Sequence, residues 1–174
     1  VAQWQAGAIV GPYRLSREIG RGGMGAVWLA ERADGLVKRS VALKLPIVAV
    51  ARDVLAERFA RERDILASLT HRNIARLYDA GFAADGQPYL ALEYVDGQAL
   101  SDLVDSKGGR GLPEKQALSI IGGVLAGLNF AHQRAIVHRD VKSSNVLVDS
   151  EGRARLTDFG IAMRAAGLAR TSDG

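Results

Sequence analysis

Apolar and polar residues alternate along the first part of the chain, broken by glycine-rich interruptions. Tyr13 to Ile19 reads as a strand, Ala26 to Ala30 as a second and Ser40 to Leu45 as a third. Gly20-Arg21-Gly22-Gly23-Met24-Gly25 separates the first two, and Asp34-Gly35 supplies a turn before the third. The period then changes. From about Arg52 to Leu69, Leu55, Phe59, Ile65, Leu66 and Leu69 recur at helical spacing with charge on the remaining face. Ile74 to Tyr78 and Pro88 to Val95 return to strand-like runs, with Asp85-Gly86 turning between them.

A second change falls near Gly97. Leu100 to Asp105 suits a short helix, and Ser106 to Gly111 is a flexible connection. Pro113 stands where a first helical residue tolerates the missing N–H. The helix it opens carries Ala117, Ile120, Ile121, Val124, Leu125 and Leu128, a broad apolar face that must bury against something. Val146 to Val148 and Ala154 to Leu156 flank a turn at Asp149 to Gly152, which predicts a short hairpin.

Composition narrows the classes. The 174 residues are 48% hydrophobic, enough for a real core. No run reaches the ~18 apolar residues of a membrane span and no signal peptide is apparent, so no membrane contact is expected in this segment. The chain has no cysteine, which excludes disulfides and thiolate metal sites and fits a reducing, cytoplasmic location. The net charge of +4 comes from 23 basic and 19 acidic residues, interleaved without a block of like charge. That pattern argues against a nucleic-acid partner.

Three stretches carry candidate chemistry. The glycine cluster fits GxGxxG, a pattern shared by dinucleotide sites, phosphate loops and plain turns. A dinucleotide fingerprint would lead into a helix, whereas this one leads into the strand Ala26-Val27-Trp28-Leu29-Ala30. A glycine hairpin can instead lie over phosphates, because its backbone N–H groups approach without side chains between. Val41-Ala42-Leu43-Lys44 ends an apolar strand in a cation, which needs an anion nearby; Glu62 has the helical phase to supply it. In His138-Arg139-Asp140-Val141-Lys142-Ser143-Ser144-Asn145, Asp140 could accept a hydroxyl proton. Lys142 could neutralise a transferring phosphoryl group, and the Asn145 amide oxygen suits a hard cation. Asp158, in Asp158-Phe159-Gly160, adds a carboxylate thirteen residues on.

In chain order these read GxGxxGxV, VALK, a helical Glu, HRDxKxxN and DFG, the signature set of protein kinases. The chain is identified as resembling a Ser/Thr protein kinase, and GRGGMGAVWLAE with LEYVDGQAL looks most like the bacterial eukaryotic-like (Hanks-type) family. The resemblance begins at about Tyr13. It implies an α+β, protein-kinase-like bilobal fold: a β-rich N-lobe with one main helix and the first part of a helical C-lobe. The expected divisions are an N-terminal extension over 1–12, N-lobe and hinge over 13–95, and partial C-lobe over 96–174.

The resemblance also implies roles. Gly20, Gly22 and Gly25 would cover the ATP phosphates, and Lys44, paired with Glu62, would contact the α- and β-phosphates. Leu92 would be the gatekeeper, with the backbones of Glu93 and Val95 hydrogen-bonding adenine. Ile19, Val27, Ala42 and Leu147 would sandwich the purine. Asp140 would be the catalytic base and Lys142 the phosphate-neutralising residue, with Asn145 and Asp158 as ligands for Mg²⁺ (or Mn²⁺). Leu66, Leu77, His138 and Phe159 would form the regulatory spine, which makes His138 a packing residue. Arg139 would pair with a phosphorylated activation loop, in which Thr171 or Ser172 would be modified.

Implied partners are ATP, proteins bearing Ser or Thr, and a second copy for autophosphorylation. Gly174 falls inside the expected activation loop, so the APE motif and later helices are expected beyond it. The alternative reading is an inactive, pseudokinase-like nucleotide-binding scaffold. A small-molecule phosphotransferase of the same fold is the enzymatic rival.

Overall fold

The computed structural model describes residues 4–22, 25–35, 39–47 and 63–159. The described residues fall into two compact units: those up to Ser68 with Leu77–Tyr94, and Leu69–Arg76 with those from Val95 to Phe159.

The first unit is a six-stranded antiparallel sheet in the order β1-β2-β3-β4-β6-β5. Its strands are β1 (Ile9–Val10), β2 (Tyr13–Gly22), β3 (Gly25–Arg32), β4 (Ser40–Pro46), β5 (Leu77–Phe82) and β6 (Pro88–Glu93). The period-2 pattern sends alternate side chains to one face. There Val10, Tyr13, Leu15, Ala26, Trp28, Ala30, Val41, Leu43, Leu45, Tyr89 and Ala91 make one buried cluster. Strand β1 lies ahead of the first predicted element. It pairs with β2 at Ile9↔Arg14 and Val10↔Tyr13, and Val10 is fully buried. Residues 63–67 are the described part of helix α1; positions 48–62, and with them most of the predicted 52–69 helix, lie outside the described residues.

The second unit holds β7 (Gly97–Ala99), α2 (Leu100–Asp105), α3 (Glu114–His132), a 3₁₀ turn at Ser143–Asn145, β8 (Val146–Asp149) and β9 (Ala154–Leu156). Strands β7-β8-β9 form a small antiparallel sheet. Asp149 ties the β8–β9 turn. Its side chain accepts from the N–H groups of Glu151 and Arg153 and from the Arg153 guanidinium. Burial opposes its ionisation, but those donors outweigh it and hold the carboxyl below its ordinary range.

Two sequence expectations shift here. Ile74 does not begin β5, which starts at Leu77. It makes a parallel bridge to Leu156 instead, flanked by Leu156 N–H to Asn73 O at 2.7 Å and Ala75 N–H to Leu156 O at 2.8 Å. The apolar face of α3 is only partly covered: Ile120 is buried, while Leu118, Ile121 and Leu125 stay more than half exposed.

Helix α3 comes close to its neighbours through glycine. A Cβ on Gly127 would stand 2.9 Å from Leu156 Cδ1 and 3.1 Å from Asn73 O, whereas one on Gly122 would meet nothing within 4 Å. Gly127→Ala is therefore expected to cost about 1–2 kcal/mol, overpacking exceeding the gain in helix propensity. Gly122→Ala should instead stabilise by about 0.5–1 kcal/mol. Urea unfolding of the pair checks both signs.

His71 lies in the same region. Its Nδ1 accepts the Asn73 N–H at 3.1 Å, and its ring lies 4.9 Å from that of Phe130. Burial, then the charges of Arg72 and Arg134, push its pKa below the ordinary value. The folded state thus binds this proton less readily than the unfolded chain. Its contribution to stability is present above the unfolded pKa of about 6.5 and is lost as pH falls through the folded value. Melting temperature should fall between pH 7 and pH 5 more steeply for the native chain than for His71→Asn.

Candidate active site

In the first unit the candidate residues share the sheet face opposite the main cluster. Val27 pairs with Lys44, Ala42 with Leu29 and Leu92, and Lys44 with Leu90. Strand pleating therefore places Val27, Ala42, Lys44 and Leu92 together, all half-buried. Leu77, Ala80 and Leu90 form a second apolar cluster, with Leu66 from helix α1 and Leu92 packed against it. Ile19 sits at a register irregularity between Glu18 and Gly20, where a bulge re-aims its side chain. Glu93 ends β6 half-buried. Glu62 lies outside the described residues, as do Thr171 and Ser172.

The three motif glycines differ. Gly20 and Gly22 pair across the hairpin with Val27 and Gly25. A Cβ at Gly20 would meet only Val27 Cβ, at 3.9 Å, and one at Gly22 would meet nothing within 4 Å. Gly25 has φ +134°, and a Cβ there would stand 2.1 Å from the Leu45 carbonyl oxygen. Packing within the sheet requires Gly25; nothing within the described fold requires the other two.

In the second unit, Val95 is buried and Leu147 is half-buried in β8, paired with Ala99 and Arg155. The loop from His138 to Asn145 is fixed by its own side chains. His138 is 1% exposed. Its Nδ1 accepts the Asp140 N–H at 3.2 Å, so its Nε2 carries the proton and donates to Thr157 O at 2.7 Å. Phe159 packs on the ring with centroids 4.5 Å apart. Both nitrogens are thus engaged with backbone, which makes His138 a positioning residue.

Asn145, also buried, donates from Nδ2 to Asp140 O at 2.9 Å and to Asp140 Oδ2 at 3.0 Å. That fixes the amide orientation and leaves its Oδ1 as an acceptor. Lys142 Nζ stands 3.4 Å from Asp140 Oδ2. The lysine is half-exposed, so the pair matters for orientation more than stability. Thr157 N–H donates to Asn145 O at 3.1 Å, tying the loop to the residue before Asp158.

Arg139 (φ 70°) and Asp158 (φ 58°) adopt left-handed backbone conformations. Such conformations cost about 1–2 kcal/mol for residues other than glycine and persist where surrounding bonds hold them. The bonds at Asp140 N–H and at both sides of Thr157 do so here. Motif reading missed Asn73 and Thr157. Asn73 Nδ2 donates to Ala154 O at 2.8 Å and its own carbonyl takes the Leu156 N–H, which holds the strand leading to Asp158. Thr157 acts only through backbone, so its residue type carried no signal.

The first unit carries a glycine hairpin and a half-buried strand lysine, and the second a locked Asp-Lys-Asn loop with a following Asp, the features that a protein-kinase fold combines. Residues 13–172 match the family model described as "Protein kinase domain", and the chain belongs to that family. Over 155 residues it is 41% identical to the serine/threonine-protein kinase PrkC of Bacillus subtilis, covering 88% of this chain and 23% of that protein. It is 40% identical over 154 residues to PknB of Mycobacterium leprae, covering 86% of this chain and 24% of that protein. The crystal structure of the Mycobacterium tuberculosis PknI kinase domain superposes with TM-score 0.80 at 34% identity, covering 91% of this chain and 62% of that one. The chain thus spans about a quarter of the curated relatives' length. Family members use ATP with a divalent cation and act on proteins. Among the described residues no helix is long and apolar enough to cross a membrane.

Proposed function

We propose that the protein carrying this chain is a serine/threonine protein kinase, moving the γ-phosphoryl group of ATP to Ser or Thr hydroxyls of proteins, a second copy of itself among them. The observation that carries the reading is the lock at Asn145. One amide group holds both the backbone and the carboxylate of Asp140 and thereby presents its own oxygen. A solvated surface turn has no need of a buried asparagine doing this.

In this reading Asp140 accepts the proton of the attacking hydroxyl, and Lys142 neutralises charge on the transferring group. Gly20, Gly22 and Gly25 cover the phosphates. The absence of an internal packing reason for Gly20 and Gly22 favours a ligand that approaches their backbone closely. Lys44 meets the α- and β-phosphates and Glu62 is its partner. Ile19, Val27, Ala42 and Leu147 flank the purine; Leu92 is the gatekeeper, and Glu93 and Val95 bind adenine through backbone. The oxygen donors of Asn145 and Asp158 fit a hard cation such as Mg²⁺, which supplies neutralisation of phosphate charge when bound. Residues after 159, including the sites of any activating phosphorylation near Thr171 and Ser172, fall outside the geometry described above.

The test is transfer of labelled γ-phosphate to a basic protein substrate by a chain carrying the whole kinase domain. Lys44→Met is expected to lower kcat/KM by about 10²- to 10³-fold, as loss of one preorganised charge contact does. A native protein that binds Mg·ATP and transfers nothing would make the pseudokinase-like scaffold the correct reading.

A further inference from the structure

The end of strand β4 is clamped in a way the motifs do not announce. On one side β4 pairs with β6 only from Val41↔Glu93 to Lys44↔Leu90, so Lys44 is the last residue in that ladder. On the other side pairing with β3 continues to Leu45 and Pro46, where the bare backbone of Gly25 lies against the Leu45 carbonyl. Beyond Lys44 the β6 side would lack a partner for the Pro46 carbonyl. A side chain supplies it: Gln87 Nε2 donates to Pro46 O and to Pro88 O, both at 2.9 Å. Two carbonyl acceptors fix which way the amide faces.

Gln87 is itself held rigidly. Its N–H donates to Asp85 Oδ1 at 3.0 Å, and its carbonyl accepts the Ala83 N–H at 2.8 Å, closing the β5–β6 turn. The turn is thus a fixed post, and the amide reaches from it to a strand 41 residues earlier.

We infer that Gln87 is a positioning residue for nucleotide binding: it extends the clamp on β4 past the end of the β6 ladder and so holds Lys44 in place. The inference rests on the proposed role of Lys44 as the phosphate contact. It concerns affinity for Mg·ATP and leaves the transfer step alone, since the two bonds of the Gln87 amide end on Pro46 and Pro88, beside Lys44.

The variants are Gln87→Met, which keeps length and loses both donors, and Gln87→Glu, which sets a carboxylate against two carbonyl oxygens. In a chain carrying the whole kinase domain, Gln87→Met is expected to raise KM and the directly measured Kd for Mg·ATP by about 3- to 10-fold, with kcat within about twofold. Gln87→Glu should raise them further, and Gln87→Lys, which restores a donor, should recover most of the loss. Unchanged Kd with a lowered melting temperature would reduce Gln87 to a hairpin fastener and overturn the inference, as would a loss confined to kcat. The Kd readout does not require phosphoryl transfer, so failure of the kinase reading would show separately, as a native protein that binds Mg·ATP without turnover.

Discussion

Asp140→Asn, in a chain carrying the whole kinase domain, is expected to slow phosphoryl transfer by about 10²- to 10⁴-fold, the usual contribution of a positioned general base. At about 1.4 kcal/mol per tenfold that is about 3–5 kcal/mol of transition-state stabilisation. The fold should survive the change. Asn145 Nδ2 donates to the Asp140 backbone carbonyl as well as to Oδ2, and an asparagine at 140 keeps an oxygen that can accept the second bond. His138 grips position 140 through its backbone N–H, which the substitution leaves intact. Single-turnover transfer and Mg·ATP binding should therefore separate, the first falling steeply and the second staying within a few-fold. Transfer that survives at near-native rate would remove Asp140 from the role of base. A parallel collapse of binding and melting temperature would show that its carboxylate serves the fold instead.

Gly25→Ala is expected to be the most damaging single-methyl change in the sheet. The backbone there has φ +134°, a region closed to side chains, and the new Cβ would fall 2.1 Å from the Leu45 carbonyl oxygen. A backbone oxygen in a paired strand cannot rotate aside, so β3 and β4 must separate locally. Strain and displacement together should cost about 3–5 kcal/mol, a large part of the 5–15 kcal/mol typical of a folded domain. Urea unfolding measures it. Gly22→Ala is the contrast: nothing lies within 4 Å of its Cβ, so stability should change by no more than about 0.5 kcal/mol. Its Mg·ATP affinity should nevertheless weaken, because the methyl group stands where the loop backbone is to meet phosphate. Equal Mg·ATP affinity in Gly22→Ala and native protein would count against the phosphate-covering role of that glycine.

Much of the fold could be read from periodicity. The strands at Tyr13, Gly25, Ser40 and Pro88, the helices at Leu100 and Glu114 and the β8–β9 hairpin stand where alternation, helical spacing and turn residues put them. These are local properties, each fixed within about ten residues by side-chain phase. The short strand β1 escaped because two residues carry no period, and it is held by burial of Val10 and by pairing with β2. Ile74 looked like the start of a strand because an apolar run does not name its partner; a bridge to Leu156 claims it. The stripe on α3 was visible, but a stripe cannot say how much of it is covered, and Ile121 and Leu125 remain exposed.

The site divides the same way. Residue types and spacing along the chain were enough to group Asp140, Lys142, Asn145 and Asp158 as candidates for one chemistry, because phosphoryl transfer selects a carboxylate, a cation and an amide at set intervals. Only tertiary structure decided what holds them. The buried imidazole of His138 joins Asp140 to Thr157, and Asn73 braces β9; at the end of the Lys44 strand, Gln87 reaches Pro46 from another hairpin. Those bonds end on backbone carbonyls and N–H groups, which every residue possesses, so no sequence pattern marks the acceptor. The same holds for Gly25 and Gly127. A glycine is legible in any sequence, but the atom that forbids its replacement becomes known only when another part of the chain is brought against it.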